Sequence, residues 1–137
     1  VALAVLMPIV AGLGGNAGTQ VLALMVRGLA LGQVGASNAR TLLWKEVRVA
    51  ALNGLLLGSI LGLIVLVWFH SPGLSAVIAI ALTCNLLFAA LAGVLVPLTL
   101  KRFGFDPALA SGIFLTAVTD SMGFFTFLGL ATLVLLH

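Results

Sequence analysis

Charge is what this 137-residue sequence has least of. Charged residues make up 7% of the chain, against about 25% in an ordinary soluble domain, and only three residues are acidic. Hydrophobic residues make up 63%, and the mean hydropathy is +1.36. A chain of this composition cannot present a solvated surface, which excludes a soluble domain and indicates an integral membrane domain.

Other absences narrow the class further. The single cysteine, Cys84, excludes an intrachain disulfide, and its apolar setting favours a packing role. The chain has no alternating segments of strand length, which excludes a membrane barrel. It has no nucleophile–base pair, phosphate-binding loop or zinc spacing, so we expect no enzyme. The net charge of +3 comes from lysines and arginines at the ends of apolar runs, where they orient helices, so we expect no nucleic-acid partner.

Four apolar runs are each long enough to cross a hydrocarbon core about 30 Å thick. They lie at about 1–27, 42–69, 74–100 and 108–136. The sequence therefore predicts an all-α, polytopic transmembrane helical bundle, a single domain over 1–137 with the lipid bilayer as partner. Because the chain opens within an apolar run, without methionine or a basic leader, we expect it to be a piece of a longer protein.

The basic residues predict the orientation in the membrane. All six lie in 27–48 and 101–102, and basic loops stay in the cytoplasm. We therefore expect loops 28–41 and 101–107 to be cytoplasmic and the turn at 70–73 to lie outside. The expected location is the plasma or inner cell membrane.

The first run carries unusual residues for a membrane span. Pro8 and the glycines of 12–20 weaken a helix, so we expect an interrupted helix there. Irregular backbone at membrane depth is tolerated where it lines a wet cavity, and Asn16, Thr19 and Gln20 would supply oxygens to a hard cation. The alternative is a glycine-rich packing face, a GxxxG formed by residues 14–18.

An ionisable side chain, Asp120, lies near the middle of the fourth run. At about 1.5 Å per helical residue it is about 20 Å from Pro107 and about 24 Å from Leu136, close to the bilayer midplane. A lone carboxylate there costs at least about 2.5–3.5 kcal/mol and marks an ion pathway by default, which indicates a cation or proton site. The alternative is a protonated carboxyl hydrogen-bonded to Asn85 or Asn16.

Helical spacing gives Asp120 its neighbours. Thr116 and Gly123 are its polar or small neighbours on the same face, and Phe124 and Phe127 are candidates for an apolar constriction. In the second run, glycines 54, 58 and 62 form a GxxxGxxxG stripe that predicts a packing groove for another helix, from this chain or a second one.

Two stretches resemble the signatures of the MgtE family of magnesium channels and transporters. They are MPIVAGLGGNAGTQ, residues 7–20, and PLTLKRFGFDPALASGIFLTAVTDSMGFF, residues 97–125. The resemblance implies a five-helix membrane domain that forms a homodimer with the ion path at its centre. Only four spans are present, so the family's first helix is missing or lies outside this chain, and the cytoplasmic regulatory domains are absent from it. The sequence also departs from the family at Ile113, where many members have proline.

The resemblance implies residue roles as well. Asp120 would hold a largely hydrated Mg²⁺, Thr116 would offer its carbonyl or hydroxyl one turn earlier, and Asn16 would line the pore. Further pore-lining candidates are Gly15, Gln20 and Gly123. The transported ion would be Mg²⁺, which residue types alone do not separate from Mn²⁺ or Co²⁺.

Three functional hypotheses follow. The first is a Mg²⁺ channel or transporter with its pore at a homodimer axis and Asp120 as the intramembrane ion site. The second is a non-transporting membrane assembly subunit that binds partner helices through the GxxxGxxxG stripe. The third is a proton-coupled cation carrier.

Overall fold

The computed structural model describes residues 2–35 and 37–135. Within these residues the chain forms helices and no strand: α1 (Ala2–Ala30), α2 (Ala39–Phe69), α3 (Pro72–Arg102) and α4 (Pro107–Leu135). All four are long and apolar enough to cross a membrane. The predicted all-helical bundle with four spans is therefore confirmed.

The central helix of the bundle is α3. It packs along α1, α2 and α4, while α1 also packs along α4 and meets α2 at few positions. In its most apolar stretch 61% of the residues are buried, against 22–39% in the other helices. The pair α1–α4 therefore forms one side of the bundle, and α2 forms the other.

The first helix is continuous, so the predicted interruption in 12–20 is wrong. An unpaired backbone group in hydrocarbon costs several kcal/mol, whereas each glycine costs about 1 kcal/mol relative to alanine. The helical hydrogen bonds are therefore kept despite the glycines. Gly14 and Gly18 are both buried, against Asn85 of α3 and Leu115 of α4 respectively. The glycines thus serve close helix packing, the alternative interpretation of this stretch.

Local hydrogen bonds define the helix ends. His70 adopts a left-handed conformation, φ 53°, after the last turn of α2, and the Ser71 hydroxyl accepts from the Leu74 amide at 3.2 Å to start α3. The carboxylate of Asp106 accepts from the Ala108 amide at 3.0 Å and so caps α4. These short connections hold consecutive helices antiparallel.

The glycine stripe of α2 is buried against α3 of the same chain. Its members lie opposite small α3 residues with the same spacing: Gly54 opposite Thr83, Gly58 opposite Ala79, and Gly62 opposite Ser75. The Ser75 hydroxyl donates to the Gly62 carbonyl at 2.7 Å. The stripe thus packs against a helix of the same chain, one of the two partners expected for it.

This packing makes a prediction about stability. A Cβ added at Gly54 would lie 2.8 Å from Thr83 Cγ2 and 3.0 Å from Thr83 Cα, and forced overpacking costs about 1–3 kcal/mol. Gly54→Ala should therefore lower the unfolding temperature of the detergent-solubilised protein, measured by circular dichroism. The matched control is Gly129→Ala, whose new methyl group meets nothing within 4 Å. Equal stability of the two variants would contradict the close α2–α3 contact.

Candidate ion-binding site

The contact between α1 and α4 fixes which residues share a level in the membrane. The two helices run antiparallel through the bundle and face each other at three places: Gly18 at Leu115, Gly15 at Thr119, and Ala11 at Gly123. Moving one residue towards the start of α1 therefore corresponds to moving one residue towards the end of α4. Because Gly15 faces Thr119, Asp120 is level with Gly14.

This register brings the three predicted ligands close along the bundle axis. Asn16 is two residues from Gly14, so its axial distance from Asp120 is about 3 Å. Thr116 precedes Asp120 by four residues, about 6 Å. Asp120, Asn16 and Thr116 therefore occupy little more than one helical turn of membrane depth.

The same residues lie on the side of the α1–α4 pair that faces away from α3. On α4, Val118 packs against the cluster containing Ala92 of α3, while Thr116 and Asp120 lie beyond the contact with α1. Asn16 and Thr116 are exposed and Asp120 is half-buried. Thr19, also exposed, lies one turn from Gly15. We call Asn16, Thr19, Thr116 and Asp120 the α1–α4 polar face.

The members of this face differ in their hydrogen bonds. The Thr19 hydroxyl donates to the Gly15 carbonyl at 2.7 Å, and the Thr116 carbonyl accepts from Thr119 at 3.3 Å. Across the part of the chain that the structure describes, no side-chain hydrogen bond involves Asn16 or Asp120. The amide of Asn16 and the carboxylate of Asp120 therefore keep all their hydrogen-bonding and ligand atoms free for an ion or its water.

Asn85, the partner considered for a protonated Asp120, makes no hydrogen bond with it among the described residues. Its amide nitrogen donates to the Val10 carbonyl at 2.9 Å, and its side chain is fully buried among α1, α3 and α4. In the sequence, Asn85 is recognisable only as a lone amide in an uncharged apolar run. Residue spacing could not predict which side chains of α1 and α4 surround it.

One chain supplies a single carboxylate at this depth. Within residues 2–35 and 37–135, no three His, Cys, Asp or Glu side chains lie close enough together to hold a metal ion. A single carboxylate suits Mg²⁺, which keeps several waters and takes one or two carboxylates, better than it suits an ion that binds without its water. One copy of the chain therefore supplies one carboxylate to an ion at this depth.

The remaining pore-lining candidates lie in different surroundings. Gly15 is half-buried at the α1–α4 contact, and Gly123 is buried against Ala11 and Asn85. Gln20, one turn beyond Asn16, turns towards α2 and lines a groove of about 270 Å³ together with Glu46 and Asn53. Gln20 thus lies beside α2, while the register of α1 and α4 puts Asn16 about 3 Å from Asp120 along the bundle axis.

The two phenylalanines near Asp120 also separate. Phe124 is 40% exposed, whereas Phe127 is fully buried in a core cluster with Leu6 and Val10 of α1. The predicted constriction at Phe127 is wrong, because the buried ridge of α4 rotates towards that residue in the carboxyl-terminal half of the helix. Ile113 lies within the continuous helix α4 and is 75% exposed.

Comparison with known proteins identifies the family. Residues 7–130 match the family model of MgtE, described as a divalent cation transporter. The chain belongs to the MgtE family. It is 38% identical over 131 residues to the magnesium transporter MgtE of Enterococcus faecalis, 32% over 132 residues to that of Bacillus subtilis, and 36% over 135 residues to that of Thermus thermophilus.

These MgtE relatives cover 96–98% of the chain, but the chain spans only 29–30% of their length. They are named as transporters, not enzymes, as the sequence predicts. Together with the four membrane-length helices, they identify a multi-pass protein of the cell membrane, the predicted location. The MgtE resemblance is thereby confirmed.

The polar face predicts where water reaches the membrane domain. In a Cys84→Ala background, cysteine introduced at Asn16 or Thr116 should react with a charged methanethiosulfonate reagent at least several-fold faster than cysteine at Leu63. Thiols react as hydrated thiolates, and Leu63 is 63% exposed on the apolar side of α2. Equally slow modification at all three positions would mean that lipid covers both faces.

Proposed function

We propose that this chain forms the ion-conducting part of a Mg²⁺ transporter. Two copies would meet through their α1–α4 polar faces, and hydrated Mg²⁺ would pass between them. The observation that carries the proposal is the position of Asp120, which lies near the middle of a membrane-length helix, is half-buried, and is about 3 Å along the bundle axis from Asn16.

Lipid is an unsuitable neighbour for this face. A charged side chain at the bilayer centre costs at least about 2.5–3.5 kcal/mol. By contrast, α2 exposes a broad apolar surface suited to lipid, which includes Leu52, Leu56, Leu63 and Val67. The polar side chains of Asn16, Thr116 and Asp120 therefore favour a watery path on this side, and contact with a second copy would keep that path away from lipid.

Charge and coordination chemistry both favour two copies of Asp120 around one ion. A pair of carboxylates would contribute about −2, which balances a divalent cation. Mg²⁺ prefers octahedral oxygen ligands and gives up water reluctantly, so Thr116 and Asn16 would act on its hydration shell. Few direct ligands also keep the ion weakly held, as conduction requires.

The names of the relatives and the family description support the choice of ion. The three relatives are magnesium transporters, and the wider description, divalent cation transporter, leaves Mn²⁺ and Co²⁺ as further cargo. We expect loops 28–41 and 101–107 to face the cytoplasm, the turn at 70–73 to face outside, and cytoplasmic regulatory domains to occupy part of the remaining length of the full protein.

Removing the carboxylate tests the proposed ion site. Asp120→Asn should reduce Mg²⁺ flux into vesicles that contain the complete protein by at least tenfold, because the amide keeps the shape but supplies no charge. The control is Ser59→Ala on the exposed side of α2, since that hydroxyl donates only to the Leu55 carbonyl of its own helix, at 2.6 Å. Near-normal flux in Asp120→Asn would refute the proposal. Flux steeply dependent on pH would favour the proton-coupled carrier.

Binding can be tested without transport. A ligand that binds only the folded state stabilises it by about 2.7 kcal/mol at a hundred times its Kd. Mg²⁺ should therefore raise the unfolding temperature of the detergent-solubilised wild type and of Ser59→Ala. The increase should be much smaller for Asp120→Asn. A non-transporting assembly subunit would show no Mg²⁺-dependent shift in any of them.

A further inference from the structure

Asn85 is a buried polar side chain at the junction of three helices. It is fully buried in the middle of α3, and its Nδ2 donates to the backbone carbonyl of Val10 in α1 at 2.9 Å. A hydrogen bond in an apolar interior is stronger and more directional than one in water. The Asn85 amide therefore ties α3 to one defined point along α1.

Two glycines enclose this amide from α1 and α4. A Cβ added at Gly14 would overlap Nδ2 and lie 2.9 Å from Cγ of Asn85, and one added at Gly123 would lie 2.9 Å from Nδ2. The Cβ added at Gly123 would also lie 3.5 Å from the Cα atom of Ala11 in α1. The amide therefore fills the space that glycine leaves on both helices, and its size limits how closely they approach.

This contact lies next to the proposed ion site. Gly14 is level with Asp120 and is two residues, about 3 Å, from Asn16 along α1. Gly123 follows Asp120 by three residues, about 4.5 Å along α4. A shift of either helix at Asn85 therefore moves Asn16 or Asp120 by a similar amount.

Stability alone does not account for an amide here. The Asn85 Oδ1 is buried and has no hydrogen-bond partner among the described residues, and a half-satisfied buried polar group is less favourable than a well-packed aliphatic one. What asparagine adds over leucine at this point is the directional bond to Val10.

We propose that Asn85 is a positioning residue for the ion path. Its amide, bonded to Val10 and enclosed by Gly14 and Gly123, fixes the separation and register of α1 and α4 at the depth of Asp120. The proposal rests on the proposed function, because it concerns how Asp120 and Asn16 are held for Mg²⁺.

The experiment measures both the maximal Mg²⁺ flux and the half-saturating Mg²⁺ concentration of the complete protein in vesicles. Asn85→Leu keeps the branched shape but cannot donate to Val10, and it should raise the half-saturating concentration about five- to tenfold. A loss of folded protein alone would lower maximal flux, normalised to total protein, and leave that concentration unchanged. The control is Gly129→Ala, where a methyl group meets nothing within 4 Å.

A double-mutant cycle tests the contact itself and does not depend on Asn85→Leu folding. Gly14→Ala should raise the half-saturating concentration at least fivefold in the native background. It should raise it less than twofold in an Asn85→Ala background, because the amide that the new methyl group would strike is gone. Equal effects in both backgrounds would overturn the proposal.

The two proposals fail in different ways. Wild-type half-saturation in Asn85→Leu and Gly14→Ala, with flux still lost in Asp120→Asn, would overturn the positioning role and leave the ion site standing. Normal flux in Asp120→Asn would refute the ion site itself, whatever the Asn85 variants do.

Discussion

Hydrocarbon forms no hydrogen bonds, so each polar group in the membrane must find its partner within the protein or in a water-filled path. The whole bundle depends on this constraint. The small hydroxyls meet it locally, since Thr19, Ser59 and Thr132 each donate to a carbonyl one turn back in their own helix. The side chains of Asn16 and Asp120 make no such bond within the described chain. The constraint therefore divides the polar residues into those that a lipid-facing helix can carry and those that need a polar environment. Of the second group, Asn16 and Asp120 belong to the α1–α4 polar face, whereas Gln20 and Asn53 line the groove beside α2.

The same small residue serves two purposes in the two halves of the bundle. Along α2, three glycines let α3 approach so closely that Ser75 reaches the Gly62 carbonyl, which makes a tight pair. In α1 and α4, Gly14 and Gly123 admit the amide of Asn85. The α2–α3 pair thus supports the bundle, whereas the α1–α4 pair carries the residues that would meet an ion.

Hydropathy and length were enough to predict four helices, because the number of apolar residues needed to cross the hydrocarbon core follows from the rise per residue. They failed where tertiary packing decides. The glycines of α1 predicted a break, yet the membrane enforces the helix and packing occupies Gly14 and Gly18. Phe127 shares helical spacing with Asp120 but lies in the core, because the packed ridge of α4 drifts around the helix. Helical spacing identifies candidate residues for the ion path, and only the packing of the neighbouring helices decides which of them lie in the core instead.

A site that acts through water makes helix position the main determinant of affinity. If Mg²⁺ keeps most of its hydration shell between two Asp120 side chains, each protein oxygen meets the ion through a water molecule, and no rigid ligand cage compensates for a displaced helix. The selectivity of such a path then depends on the separation of the facing α1–α4 pairs. Within one chain that separation follows from the contact of α1 with α4, and the amide of Asn85 is buried inside this contact, between Gly14 and Gly123. A residue that meets neither ion nor lipid would thus set the geometry in which the ion is held.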